Sequence, residues 1–150
     1  MKRRTKLPRS TLELLFRAAR LVNERAVASA RRDGAKDLRL AHTQLFPHIT
    51  FDGVRITTIA KRLEVSKQAI GPLVDELVDE GLVERIPDPS DARAKLVRWT
   101  PRGGEALRHG LGVLARLEDE LARRVGRARM DALGDTLERL IAAVDAPRDQ

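Results

Sequence analysis

The 150-residue chain reads as mainly α-helical with one small β-hairpin. Three observations predict this. Apolar residues recur at steps of three and four through most of the chain. One segment, Ile56 to Thr100, breaks the pattern by ending in two short strand-like runs around a turn-rich tip. Aromatics supply only 3% of residues against a hydrophobic share of 42%, so the core must be built from Leu, Val, Ile and Ala, a composition that favours helices.

Taken in chain order, residues 1–9 (MKRRTKLPR) form a basic arm. The simpler reading is a solvated terminus; the alternative is an arm that touches phosphates or enters a minor groove. Ser10 stands as N-cap of a helix from Thr11 to about Arg32, before Gly34. Its apolar stripe is Leu12, Leu15, Phe16, Ala19, Val22 and Ala26. Leu14 and Leu21 form a second flank, which suits a helix packed both inside its own subunit and against a partner. A second helix, about Leu38 to Phe46, turns Leu40, Ala41 and Leu45 inward, and Pro47 bends or stops it. Phe51 to Gly53 is a loop, and Val54 to Ile56 a short edge strand that pairs with the hairpin.

A short helix from Thr58 to Leu63 buries Ile59, Ala60 and Leu63. Ser66 caps the next helix, which turns Ile70, Leu73, Val74, Leu77 and Val78 inward and ends at Gly81, a residue that accepts positive φ. Lys67, Gln68 and Gly71 occupy its outward start. Two helices joined tightly, with polar donors opening the second, form a helix-turn-helix. Leu82 to Ile86 and Lys95 to Trp99 then pair as strands around Pro87 to Ala94, and a hairpin in this position is a wing. Thr100-Pro101 starts another helix with Leu107, Leu111, Leu114, Leu117 (or Glu118), Leu121 and Val125 along a near-heptad seam. After a break near Gly126, Met130, Leu133, Leu137, Leu140, Ile141 and Val144 line a last helix. These flanking helices carry more apolar surface than a small winged core can cover, which predicts a homodimer. The expected layout is an arm at 1–9 and a single domain at 10–150. Within it, dimerisation helices at 10–34 and 101–146 flank a winged lobe at 38–100.

The charge excess of +7 points to a polyanionic partner. Scarce aromatics argue against single strands, whose bases need rings to stack on, and so favour duplex DNA. The absence of cysteine excludes disulfides, thiolate metal sites and cysteine-based oxidant sensing. No run is apolar enough for a bilayer and the basic start lacks the apolar stretch of a signal peptide, so a cytoplasmic location is expected, with no membrane partner. No phosphate loop, nucleophile–base arrangement or metal cluster is evident. No catalytic activity, metal or cofactor is expected.

The motifs S-K-Q, L-V-D-x-L, G-L-V-E-R, D-P-x-D-x-R-A and T-P-x-G follow one another in VSKQAIGPLVDELVDEGLVERIPDPSDARAKLVRWTPRGGEAL. This stretch resembles the MarR family of winged helix-turn-helix transcriptional regulators, most densely from Thr57 to Ala106. The resemblance implies a homodimeric, sequence-specific regulator of a pseudo-palindromic duplex, most often a repressor, released by a small-molecule effector. Gln68 is the candidate base reader, Lys67 reaches guanine or phosphate, and Ser66 with the helix start suits a phosphate. Thr57 and Gly71 complete that face. On the wing the resemblance sends Arg93 into a minor groove with Asp91 orienting it, while Lys95 and Arg98 reach phosphates. It also implies an effector pocket, for which Phe16, Arg17, Arg20, His42, Phe46 and His48 mix apolar walls with cations. The two histidines are expected at the surface or the pocket rim.

Two features depart from the family pattern. Pro72 and Glu76 stand where relatives often carry arginines, and Pro72 cannot donate to the carbonyl of Gln68, which predicts a kink or widened turn. Asp75 faces outward and repels phosphate unless paired. Two other readings stay open, a nonspecific architectural DNA binder and a winged-helix module that binds protein.

Overall fold

The computed structural model describes residues 10–146, so the basic arm lies outside the described residues. The chain forms two compact units that divide between Leu111 and Gly112. In the first, α1 (Thr11–Arg32) is followed by α2 (Leu40–Leu45), a single 3-10 turn (Phe46–His48), β1 (Val54–Arg55), α3 (Ile56–Arg62) and α4 (Lys67–Asp79). Then come β2 (Val83–Asp88), β3 (Asp91–Trp99) and the start of α5 (Pro101–Val125). The rest of α5 and α6 (Arg127–Asp145) make up the second unit.

The three strands form one antiparallel sheet in the order β1-β3-β2, with Val54 opposite Val97 and Val83 opposite Trp99. The edge strand therefore pairs with the wing as expected, although Ile56 belongs to α3. The hairpin tip is tighter than the eight-residue turn read from the sequence. Pairing runs from Val83–Trp99 through Pro87–Lys95, and a register shift then sets Asp88 opposite Asp91. The reason is local hydrogen bonding. The buried Asp88 accepts from the Ser90 backbone N–H at 2.8 Å and from its hydroxyl at 2.7 Å, so the polar tip folds on itself.

The lobe's core is a single cluster that includes Leu45, Ile59, Ile70, Val74, Leu77, Val83, Val97 and Trp99, with Leu73 and Val78 packed against it. Every residue of the stripe read on α4 thus faces this core. Ser66 caps α4 by accepting from the Ala69 N–H at 3.1 Å. At the other end Gly81, at φ 71°, lets its own N–H reach the Val78 carbonyl and that of Leu82 reach Leu77. This closes the helix in a double-bonded C-terminal turn. The Trp99 indole donates to the Ile49 carbonyl at 2.9 Å and meets Phe46 edge-on at 5.4 Å between ring centroids. The segment after α2 is thereby pinned to β3. Thr100 opens α5 by accepting from the Gly103 N–H at 2.9 Å while donating to the Gly81 carbonyl at 2.7 Å. Gly103 has no room for a side chain, because a Cβ there would lie 1.9 Å from the Leu82 oxygen.

Some details differ from the sequence reading. Ser10 has the extended N-cap backbone, but its side chain makes no cap bond. Leu40 is exposed at the start of α2, and the helix buries His42 together with the expected Leu45. Pro47 ends the α-helix as expected and sits inside the 3-10 turn. α4 continues without interruption through Pro72. The break after α5 falls at Gly126.

Candidate nucleic-acid interface

Between the start of α4, the N-terminal end of α3 and the wing lies a concave groove of about 820 Å³. Its lining comes from Arg55, Ile56 and Thr57 at the β1–α3 junction and from Lys67, Gln68, Gly71, Pro72 and Asp75 along one face of α4. The hairpin adds Arg85, Arg93, Ala94 and Lys95. Six of the eight residues expected to meet DNA, Thr57, Lys67, Gln68, Gly71, Arg93 and Lys95, are gathered here. Ser66 supports the helix start from just outside. Asp91 sits behind the wing tip, where its carboxylate accepts the Arg93 backbone N–H at 3.0 Å and so shapes the turn that carries Arg93.

Five cationic side chains and one carboxylate line the groove, and the cations fall into two groups. Arg55 donates to Asp88 at 2.6 Å and lies 3.8 Å from Asp91, while Arg85 pairs with Asp75 at 2.7 Å. These two hold the frame, joining β1 to the wing and α4 to β2. Lys67, Arg93 and Lys95 are exposed and have no carboxylate partner among the described residues. Their charges are available to an anion, and neighbouring cations that converge without counter-charges are what a phosphate backbone displaces ions to reach. The Asp88 carboxyl is pulled from 3.8 to about 2, first by the Ser90 hydroxyl, then by the Ser90 backbone N–H, with Arg55 adding to both. It therefore stays ionised and keeps hold of Arg55.

The outward carboxylates of α4 prove to be compensated. Asp75 is neutralised by Arg85. Glu76 turns toward α2, where it accepts from the Arg39 guanidinium and bonds His42 Nε2 at 2.9 Å. His42 has no exposed surface, which corrects its expected place at the surface or a pocket rim. Its Nδ1 accepts the Arg39 N–H at 3.2 Å, which leaves the ring proton on Nε2 to be donated to Glu76. Arg98, expected on a phosphate, pairs instead with Glu84 across the hairpin at 2.7 Å. The sequence reading missed Arg55 and Arg85 as groove residues. Their signal, an arginine just before α3 and another within G-L-V-E-R, gains meaning only once the strands are aligned.

The residues expected to form an effector pocket occupy different settings. Phe16 is 73% exposed on α1 and Arg17 is exposed beside it. Arg20 pairs with Glu24, and His42 is tied to Glu76. Phe46 packs on Trp99, and His48 is half-buried in the 3-10 turn. Among the described residues no group of three or more His, Asp or Glu is placed to hold a metal ion, and no helix is long and apolar enough to cross a membrane.

Residues 37–94, from the loop before α2 to the wing tip, match the family model described as the MarR family. Over this segment, somewhat more than a third of its length, the chain is similar to the MarR family. Among solved structures it is similar to apo MarR of Escherichia coli, with a TM-score of 0.71 at 22% identity, covering 89% of this chain and 98% of that one. It is also similar to CouR of Rhodococcus jostii bound to p-coumaroyl-CoA, with a TM-score of 0.66 at 25% identity, covering 92% and 93%. An uncharacterised protein of Mycobacterium tuberculosis is 27% identical over 134 residues, covering 89% of this chain and 92% of the relative. Its architecture is thus that of MarR-type regulators over nearly its whole length.

Proposed function

We propose that the protein is a sequence-specific, double-stranded DNA-binding transcriptional regulator that acts as a homodimer on a pseudo-palindromic operator. The groove beside α4 carries this reading, with the unpaired Lys67, Arg93 and Lys95 around an exposed Gln68. In use, the start of α4 enters a major groove, where the Gln68 amide can bond adenine N6 and N7 together. The wing tip carries Arg93 to the adjacent minor groove, whose negative potential is strongest where it is narrow. Ser66, Thr57 and the N–H groups opening α4 meet phosphates, and Lys67 and Lys95 add counterion release.

A second copy is supported by apolar surface that this chain leaves open. Phe16, Leu12 and Leu21 on α1 are exposed, as are Leu133, Ile141 and Val144 on α6. Pairing two copies would set two α4 helices one duplex turn apart, about 34–36 Å, and would make the operator an inverted repeat. Repression by promoter occlusion, with release by a small molecule, is the regulatory mode we favour. CouR bound to p-coumaroyl-CoA supports an effector of the organic-acid or thioester kind. An effector acts by favouring a spacing of the two reading helices that no longer fits the repeat.

The test is a footprint on DNA flanking the protein's own gene across a salt series, with Arg93→Ala alongside. The reading expects one protected inverted repeat, weakened by salt and weakened roughly tenfold by the substitution. Uniform coating of every duplex would replace it with architectural binding, and absence of binding at low salt with a protein-interaction role.

A further inference from the structure

We propose that α4 reads a thymine methyl group through Pro72, beside an adenine read by Gln68, so that the centre of each half-site is specified without an arginine–guanine contact from this helix. The inference rests on the DNA-binding reading above and deepens it.

Gln68, Gly71, Pro72 and Asp75 stand at positions i, i+3, i+4 and i+7 of α4 and all line the groove. Asp75 is engaged by Arg85 at 2.7 Å, and Glu76 is drawn to His42 on α2 and to Arg39 just before it. The middle of the reading face therefore consists of an amide, a bare backbone and a pyrrolidine ring. Pro72 is exposed, and a Cβ built on Gly71 would meet nothing within 4 Å, so base edges can approach the backbone beside the ring. In the major groove the one apolar feature that distinguishes a base is the C5 methyl of thymine, and an apolar ring is the group that senses it.

Pro72 has a second consequence. Lacking an N–H, it leaves the Gln68 carbonyl without the donor that position 72 would supply in a regular helix. Four residues of helix rise about 6 Å, close to two base-pair steps, so the thymine should lie within two pairs of the adenine. The unpaired cations stand beside this uncharged centre, so phosphate affinity and base choice are carried by different residues.

The experiment selects duplexes from a random pool with the full chain. Each thymine of the selected operator is then replaced singly by deoxyuridine, which removes only the methyl. One position per half-site should lose about three- to fivefold in affinity, the worth of one buried methyl. Pro72→Ser, which removes the apolar ring and restores a helical N–H, should bind the operator about three- to fivefold more weakly than the wild type and lose nothing further on that replacement. An operator indifferent to methyl loss, or a sensitivity that survives in Pro72→Ser, overturns this inference alone. A pool that yields no enriched sequence overturns the DNA-binding reading and this inference with it.

Discussion

Helices α4 and α6 carry the same kind of apolar stripe, yet their stripes end in opposite places. On α4, Ile70, Val74 and Leu77 are 3%, 0% and 1% exposed, whereas on α6 no residue is buried and Ile141 and Val144 are 59% and 75% exposed. Periodicity identifies a face but says nothing of what covers it. The α4 stripe is covered because a sheet and two short helices of its own lobe meet it. On α6 the large apolar residues Leu133, Ile141 and Val144 stay exposed. Exposed apolar surface on this scale marks an interaction site, and the flanking helices of this chain present it on α1 and α6 alike.

The comparison is broken most forcefully from the buried side. Leu77→Ala removes a fully packed side chain and should lower lobe stability by about 2–5 kcal/mol, seen as a reduced urea midpoint. An equal response from Val144→Ala at a concentration too low for association would contradict the distinction. Next in size, Glu76→Ala would leave the His42 Nε2–H and the Arg39 guanidinium without their acceptor, at about 1–3 kcal/mol for the buried member. Glu76→Gln, which can still accept from His42, should recover part of that loss.

A smaller effect comes with pH. The Asp88 carboxyl is depressed from 3.8 to about 2 in the folded lobe, so its contribution is fully present above the unfolded value and lost as pH falls through the folded one. Urea midpoints of the wild type should therefore decline between about pH 4 and pH 2 more steeply than those of Asp88→Asn. Parallel declines would show that Ser90 and Arg55 do not favour the ionised form.

Much of this fold is legible in the residues themselves. The cap at Ser66, the turn at Gly81, the stripe of α4 and the start of α5 at Thr100 each depend on neighbours within a few positions, and each stands where local chemistry puts it. What escapes a linear reading is long-range polar pairing. Asp75 and Glu76 look like repulsive charges facing DNA until Arg85, from the next strand, and His42, 34 positions earlier, are brought to them. The tight wing tip escapes for the same reason. Pro87 to Ala94 has the composition of a loose loop, and only the clasp of Asp88 by Ser90 and Arg55 draws it into paired strands. The groove residues are easier to read than their settings, because Lys67, Gln68 and Arg93 lie on motifs at exposed positions, while Arg55 lies outside any motif and Arg85, though within G-L-V-E-R, reaches the groove only once its strand is placed.

The central claim is that the open stripes belong to a second copy, which makes two reading helices into one reader of an inverted repeat. Sedimentation equilibrium of the full chain over a concentration series, alone and with a selected duplex, tests it most directly. A two-chain species should form in both cases, and Ile141→Glu should give a one-chain species whose lobe still melts cooperatively. A wild-type chain that remains single at tens of micromolar and binds the duplex as one copy would contradict it.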